Sequence, residues 1–462
     1  MEPASRDAYR LFNEGSAALA QIEVTGMPVD MERLDAADKE ISGYIRGYES
    51  TLRESVIYST QRARFGKDSN VNSRDQLAVV LYQDRRLAGA KRSAKTGKYT
   101  LDDKDLADLQ DHQDTPEEVN EYLRTFRKLQ KLYKMKSTYL DGFRREAVNG
   151  RIHGFFNLHK VKTYRLSSDS PNLQNIPVRD PVVGKVLRSL IRPSRDGYVI
   201  VETDYKTLEL ITGGSLHKDP NMRDHLLTGY DFHKETANDL FLIEGAVTKV
   251  LRNIAKISNF SLVYGDYYAS IATKAWKAAI HEKIGERTVR EHLAAKGIKH
   301  LGAENFLTDD SFMLHTKGVV DRFWEVRFPT FHKWRNRIWE DYCRRGYLYT
   351  ATGFRVAGVF KRNEIYNIET QGVSAHCMLY ALIQAQKEIA ARRMGSRIIS
   401  TIHDSVLAEV PEHEVDSYIE MMNECMTARV MEKWDWINIP LATEAEVGSP
   451  DWATKKPYEK AA

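Results

Sequence analysis

Arg252-Asn-Ile-Ala-Lys256-Ile-Ser-Asn-Phe260-Ser-Leu-Val-Tyr264-Gly265 is the stretch on which the reading of this chain turns. Arg252, Lys256, Phe260 and Tyr264 recur every fourth residue, and on an α-helix each such step drifts by only about 40°, so all four project from one face. Two cations precede two aromatics. A core stripe would be apolar throughout, whereas Arg252 and Lys256 are costly to bury unpaired. Ile254, Ile257 and Val263 lie on other faces and are expected to make the packing contact. Guanidinium and ammonium groups suit a phosphate clamp, and a ring one turn further on gives a base or sugar a surface to stack on. A chance alignment on a solvated helix face is the bland alternative. Gly265 is expected to cap the C-terminus, which places the helix over 251–265.

Two acids carry the other half of the chemistry. Asp204 ends the strand candidate Tyr198-Val-Ile-Val-Glu-Thr203, and Asp404 lies at the turn between the strand candidates 397–402 and 405–410. Each alone is as readily a turn residue bonding its own backbone. If their strands are neighbours in one sheet, the carboxylates converge and can hold two divalent cations ~3.5 to 4 Å apart, as phosphoryl transfer requires. Two acids alone would equally fit a nuclease or a phosphatase.

The surrounding chain sets bounds. Its 462 residues allow two to four folded units and exclude a small binding module. Lys and Arg exceed Asp and Glu by 68 − 64 = 4, with 42% apolar and 29% charged residues, which excludes wholesale disorder and names no partner. Cys343, Cys377 and Cys425 show no CxxC or metal-like spacing and read as buried thiols of a reducing compartment. No window approaches the ~18 apolar residues of a membrane helix, and the first residues lack a signal-peptide core. A cytoplasmic protein is expected.

Charge is segregated along the chain. Residues 102 to 118 hold Asp102, Asp103, Asp105, Asp108, Asp111, Asp114, Glu117 and Glu118 against Lys104 alone, whereas 122 to 145 hold eight cations against Asp141. The basic run is either a solvated helix face or a surface that follows a phosphate backbone, and Tyr133 and Tyr139 among its cations favour the second. Residues 8 to 57 and 221 to 345 carry helical periodicity, the latter broken by a polar region near 281 to 318.

The spacing R-x3-K-x3-F-x3-Y-G, preceded by Asp204-Tyr-Lys-Thr-Leu-Glu209 and followed by Thr401-Ile-His403-Asp404, resembles motifs B, A and C of the family A DNA polymerases, the family of bacterial DNA polymerase I. Lys134-Met-Lys-Ser-Thr138-Tyr139, Pro171-Asn-Leu-Gln-Asn-Ile-Pro177, Asp231-Phe-His233, Gln371-Gly372 and Glu446-Val-Gly448 extend the likeness over nearly the whole chain. The resemblance implies an α+β right hand: a thumb over 1–150 with N-terminal helices entering from the palm base, a palm over 151–220 and 346–462, and fingers over 221–345.

It further implies a DNA-directed DNA polymerase, a nucleotidyltransferase of replication or repair, acting on primer-template DNA and dNTPs with two Mg2+, Mn2+ being an alternative. Asp204, Asp404 and the Tyr205 carbonyl would hold metal, with Asp204, Asp404 and Lys256 as the catalytic set. Arg252, Lys256, His233, Phe260 and Tyr264 would hold the nucleotide, and Glu209 would be the gate against a ribose 2′-hydroxyl. Arg165, Asn172, Gln174, Asn367, Gln371 and His403 would meet primer or minor groove, and Lys131, Lys134 and Lys136 duplex phosphates. Ser405 stands where the family has Glu, and the family's Arg four residues before Asn367 is Asn363, with Arg362 one position earlier. The thumb-like match starts near Met1, so no proofreading exonuclease is expected in this chain; a separate exonuclease, helicase or processivity factor would then be a partner, in a bacterial or phage-infected cell. The alternatives are a single-subunit RNA polymerase, which Glu209 disfavours, and a catalytically silent DNA-binding replication scaffold.

Overall fold

The computed structural model describes residues 3–111, 115–177 and 183–460; Asp114 of the acidic run lies outside them. The chain opens with helix α1 (Pro3–Thr25), which stops at Gly26, a residue with φ of +67°. Asp30 caps helix α2 (Met31–Arg53) through the Arg33 N–H, and the long helix α3 (Glu117–Lys134) packs against it. Val119, Leu123, Phe126 and Leu129 on α3 meet Leu34, Ile41 and Ile45 on α2 in one apolar core. The acidic run forms a helix, Asp103–Asp111, whose Leu106 and Leu109 enter that core while Asp103 pairs with Arg74 and Asp105 with Lys91.

The sheet lobe is built on strand β1 (Tyr198–Tyr205), two residues longer than its sequence pattern suggests. Helix α4 (Leu208–His217) follows it directly. A helical lobe then contains α5 (Phe232–Phe241), α6 (Lys249–Val263) and α7 (Pro329–Arg345). Helices α8 (Arg362–Asn367) and α9 (Val373–Ala391) lead back to strands β2 (Arg397–Ile402), β3 (Ser405–Pro411), β4 (Thr443–Gly448) and β5 (Lys456–Pro457). The sheet is antiparallel in the order β2-β3-β1-β4-β5, so β1 is the middle strand although it comes first in the chain.

The near-continuous apolar run of β1 follows from that place. Val199, Val201 and Tyr205 face α1, α9 and Tyr418, while Ile200 faces Leu407 and Trp452 on the other side. Helix α1 therefore shares its core with the sheet rather than with α2 and α3.

Residues 281–318 form a defined part of the helical lobe. A two-stranded hairpin (Lys283–Ile284, Arg287–Thr288) leads into a helix over Val289–Ala295, fixed by a reciprocal Thr288–Glu291 cap. The irregular stretch after it is pinned by Lys299 N–H to Asp310 O and Phe312 N–H to His300 O, both at 2.8 Å. Val289, Leu293, Ile298 and Phe312 pack on Leu240, Phe241 and Leu251. The segment thus completes the core behind α6. One sequence expectation needs correcting: Cys377 and Cys425 are buried, but Cys343 is exposed on α7.

Candidate active site

Sheet register brings the two acids together. Ser405 on β3 is the direct partner of Asp204 on β1, and the Tyr205 N–H faces the Asp404 carbonyl at 3.4 Å. Asp404 itself sits in the two-residue turn between β2 and β3, after His403, whose φ of +55° turns the chain there. Burial raises the Asp204 carboxyl, and repulsion from Asp404, Glu202 and Glu444 takes it further, to about 7. Burial likewise raises Asp404, against the opposing pull of Arg165 and His403. Uncompensated negative charge at a strand end is what a cation site leaves when considered without its ion.

Glu202 and Glu444 were not singled out from the sequence. Glu202 lies two residues before Asp204, on the same face by strand alternation, and a pattern reading could have found it. It pairs with Lys455 Nζ and accepts from Trp452 Nε1, each at 2.6 Å. Glu444 is the partner of Asp204 across the other sheet edge, a placement that only the register reveals. Ser405, at the position of the missing family Glu, is buried and donates to the Ile402 carbonyl at 3.0 Å.

The donor set fits Mg2+. Asp204 and Asp404 offer hard oxygens at one point, and among the described residues no closed cage of three or more ligating side chains surrounds them. Coordination positions are left for water and substrate phosphate, which Mg2+ retains more readily than a full protein cage. The Tyr205 side chain is 5% exposed and packs into the core below the sheet, so only its backbone carbonyl is available to an ion.

Helix α6 presents the opposite charge. It runs from Lys249 to Val263, two residues earlier at each end than its pattern predicts, and Thr248 caps it through the Leu251 N–H. Leu251, Ile254, Ala255, Ser258, Asn259, Leu262 and Val263 form the buried face. Ile257, expected to pack, is 55% exposed. Gly265 follows with φ of +94°, and a Cβ there would come within 2.7 Å of Asn363 Cβ, so both conformation and space demand glycine.

The other four side chains line one edge. Arg252 Nε contacts Asp231 Oδ2 at 2.6 Å. Lys256 Nζ stands 5.9 Å from the Phe260 ring centre, and Phe260 lies 5.9 Å from His233 and 6.1 Å from Tyr264. Burial, then Arg252, drives the His233 pKa down to about 4, so its ring is neutral near pH 7. Asn259 Nδ2 donates to His233 Nδ1 at 2.9 Å, an assignment that puts the ring proton on Nε2.

Glu209, on α4, joins the acidic strand end to this helix. Its Oε2 accepts from the Tyr264 hydroxyl, and its Oε1 is 3.8 Å from Arg165 Nη2. Burial, then Asp404, raises its carboxyl to about 7. Arg165 also donates to Gln371 Oε1 at 3.3 Å, and with Gln174, His403 and Asp404 it walls a small cleft. Asn172 Oδ1 accepts the Gln174 N–H, whereas Asn367 Oδ1 is buried without a partner.

The basic run divides. Lys131 and Lys134 are exposed on α3, Lys136 is half-buried and engaged by Asp38, and Arg144 pairs with Asp35. The tyrosines do not lie among the cations on the surface: Tyr133 donates to Glu49, and Tyr139 is buried and donates to the Asn175 carbonyl at 2.6 Å. Amphipathic α3 turns its aromatic side inward, which the local charge pattern conceals.

Comparison with known proteins bears on the same regions. The model of DNA polymerase family A matches residues 44–302 and 313–454. The thermostable DNA polymerase I of Thermus aquaticus is 29% identical over 455 residues, covering 96% of this chain and 47% of the relative. DNA polymerase I of Geobacillus stearothermophilus is 28% identical over 446 residues, covering 95% and 45%. The chain thus spans about half the length of the curated relatives it matches. Among solved structures, the POL domain of Pol1 from M. smegmatis, in complex with DNA primer-template and dNTP, superposes with a TM-score of 0.74 at 23% identity, covering 96% of this chain and 70% of that one. That likeness shows the fold, a right hand with an antiparallel-sheet palm and helical thumb and fingers. With its family model matched over most of its length, this chain belongs to DNA polymerase family A.

Proposed function

We propose that this chain is a template-directed DNA polymerase that extends a primer 3′-hydroxyl with deoxynucleoside triphosphates. One observation carries the reading: Tyr264, at the end of α6, donates to Glu209, whose carboxyl is raised in part by Asp404, so the helix that bears Arg252 and Lys256 ends beside the acidic strand ends of Asp204 and Asp404. We assign 1–150 to the thumb, with α1 set in the palm core, 151–220 and 346–462 to the palm, and 221–345 to the fingers.

Asp204, Asp404 and the Tyr205 carbonyl would hold two Mg2+, for which Mn2+ could substitute. When bound, such ions lower the pKa of an attacking hydroxyl and neutralise charge on the departing oxygen. Arg252 and Lys256 grip the triphosphate, and His233 donates from Nε2 to a phosphate oxygen. Lys256 holds a proton for the leaving pyrophosphate. Phe260 packs on the incoming sugar and base, while Tyr264 closes the templating position. Arg165, Gln174, Gln371, Asn367 and His403 meet the primer end and minor groove, where acceptors are similar for all base pairs, and Asn172 orders the turn carrying Gln174. Lys131, Lys134 and Lys136 follow duplex phosphates, Lys136 on leaving Asp38.

Glu209 favours this reading over a single-subunit RNA polymerase, because a half-buried carboxylate tethered by Tyr264 and Arg165 fills the space a 2′-hydroxyl would need. Primer extension with dNTPs or rNTPs tests it. Preferential dNTP use by the wild type is expected, and Glu209→Ala should erode that preference on the order of 100-fold. Preferential rNTP use by the intact chain would sink the proposal. This chain is also expected not to excise a mismatched 3′ end, which incubation of a mismatched primer-template without dNTPs checks. Its place of action is the cytoplasm of a bacterial or phage-infected cell; among the described residues no helix is long and apolar enough to cross a membrane.

A further inference from the structure

Arg335, in the middle of α7, is only 8% exposed, and no carboxylate pairs with it among the described residues. Its guanidinium is held between two rings, with its central carbon 4.1 Å from the centre of Trp324 and 4.2 Å from that of Tyr366. Burial, with only the Tyr366 hydroxyl in support, draws its pKa down to about 10, and Nε has no hydrogen-bond acceptor. An unpaired buried cation is among the more expensive groups a fold can carry, and ring faces offset only part of that. Two rings lie against the guanidinium and the Tyr366 hydroxyl takes up one hydrogen bond, so its remaining N–H groups are what it can offer a ligand. A flat edge of parallel donors matches the oxygens of a phosphate.

Further positive charge converges on the same place. Arg362, exposed on α8, donates to the Tyr366 hydroxyl and to Asn336 Oδ1, and its guanidinium stands 5.8 Å from the Tyr366 ring centre. His332, 5.7 Å from Trp324, is depressed by burial and then by Arg335 and Arg362, against the opposite influence of Glu325. Two arginines and an imidazole share the site, and Glu325, which opposes their pull on His332, is exposed. The imidazole is neutral near pH 7, so the charge at the site is that of the two arginines, and an arriving anion would relieve their mutual repulsion.

The position within the fold says which anion. A Cβ on Gly265 would fall within 2.7 Å of Asn363 and 3.4 Å of Tyr366, so α8 abuts the residue directly after Tyr264. We propose that Arg335 and Arg362 form a phosphodiester site for the unpaired template strand, just beyond the base read against Tyr264. This rests on the polymerase reading above. The buried Arg335 gives the site a fixed back wall, and the exposed Arg362 gives it an entrance.

The test uses the full-length protein and two DNAs, a blunt duplex and the same duplex with a template overhang of about six nucleotides, followed by fluorescence anisotropy over a salt series. Arg335→Met keeps an unbranched apolar stem between the rings, and Arg362→Gln keeps a polar surface. Each should weaken binding of the overhung DNA by about 5- to 10-fold and lower the slope of log K against log salt by about 1. The blunt duplex should bind unchanged, and Arg335→Met should melt no lower than wild type, because a buried unpaired charge has been removed. Equal losses on both DNAs, or none, would overturn the proposal. So would a lowered melting temperature with unchanged binding, which makes Arg335 a packing pillar. Stabilisation by inorganic phosphate that needs Arg335, with DNA binding unaltered in the variant, would point to a free-anion site and overturn it likewise. If wild type binds the overhang through Arg335 yet extends no primer, the polymerase reading fails and the site stands.

Discussion

Strands β1 and β3 carry carboxylates at both ends, and the two ends are built on opposite terms. Glu409, opposite Ile200, is 1% exposed, deeper than Asp204. Burial alone would raise its pKa, but the Ser194 hydroxyl at 2.6 Å, the Ser194 N–H and Arg151 at 2.7 Å more than offset it and hold the carboxyl below its ordinary range. About 14 Å along the same pair of strands, Asp204 lacks such partners and is raised to about 7. A fold able to satisfy a fully buried glutamate has left a more accessible aspartate unsatisfied. Burial does not mark the functional acid here; the missing counter-charge does.

The contrast is most sharply broken at its acidic end. Asp204→Asn should lower single-nucleotide incorporation by about 1,000-fold, the worth of losing one metal-holding carboxylate, and leave the fold intact. At pH 8 the variant should also melt higher than wild type. The raised Asp204 carboxyl favours folding below pH 3.8, and that advantage is lost as pH rises through about 7. The gap between variant and wild type should therefore close on acidification. A variant that melts lower at pH 8 would show that Asp204 is a structural acid like Glu409.

Glu409→Gln should behave in the opposite way. It leaves Arg151 buried against a neutral group and should destabilise the protein by about 3 kcal/mol in denaturant titration, with incorporation per folded molecule retained. Because the Glu409 pKa is lowered, its stabilisation is present at neutral pH and lost as pH falls through the folded value. Unchanged stability would mean that the Arg151 pair contributes nothing. The smallest effect concerns metal: ion binding needs both carboxylates ionised, so the Mg2+ concentration for half-maximal extension should fall by up to about tenfold per pH unit between pH 6 and 7 and flatten above. A requirement independent of pH would contradict the raised Asp204.

The sequence made legible what is local or periodic. The stripe on α6 survives with its four residues on one edge, Asp204 is next to the last residue of β1, and Asp404 sits in the turn between β2 and β3. Pairing across the sheet was legible only through a chemical guess, since nothing in either segment announces a partner some 200 residues away, and so Glu444 went unseen. Periodicity also fails to tell which face of a charged helix meets solvent: Tyr133 and Tyr139 turned inward, and Ile257 outward. Arg335 lies in an ordinary polar helix pattern, and its burial depends on Trp324 and Tyr366, brought in from two other segments.

The seating of α1 sets a timetable for synthesis. Gln386 on α9 donates to the Ala18 carbonyl at 2.8 Å across 368 positions, Lys387 reaches Glu14, and Leu379 fills the space that Gly15 leaves open. The α2–α3 lobe draws its core mainly from residues 27 to 191 and can close while translation continues. Helix α1, made before α2 and α3, must hold its apolar face open until α9 leaves the ribosome, about 350 residues later, or about 17 to 70 s at common rates of elongation. A nascent chain arrested before residue 373 would therefore expose Leu11, Leu19 and Ile22, and it would recruit holdase chaperones at α1 rather than at its growing end.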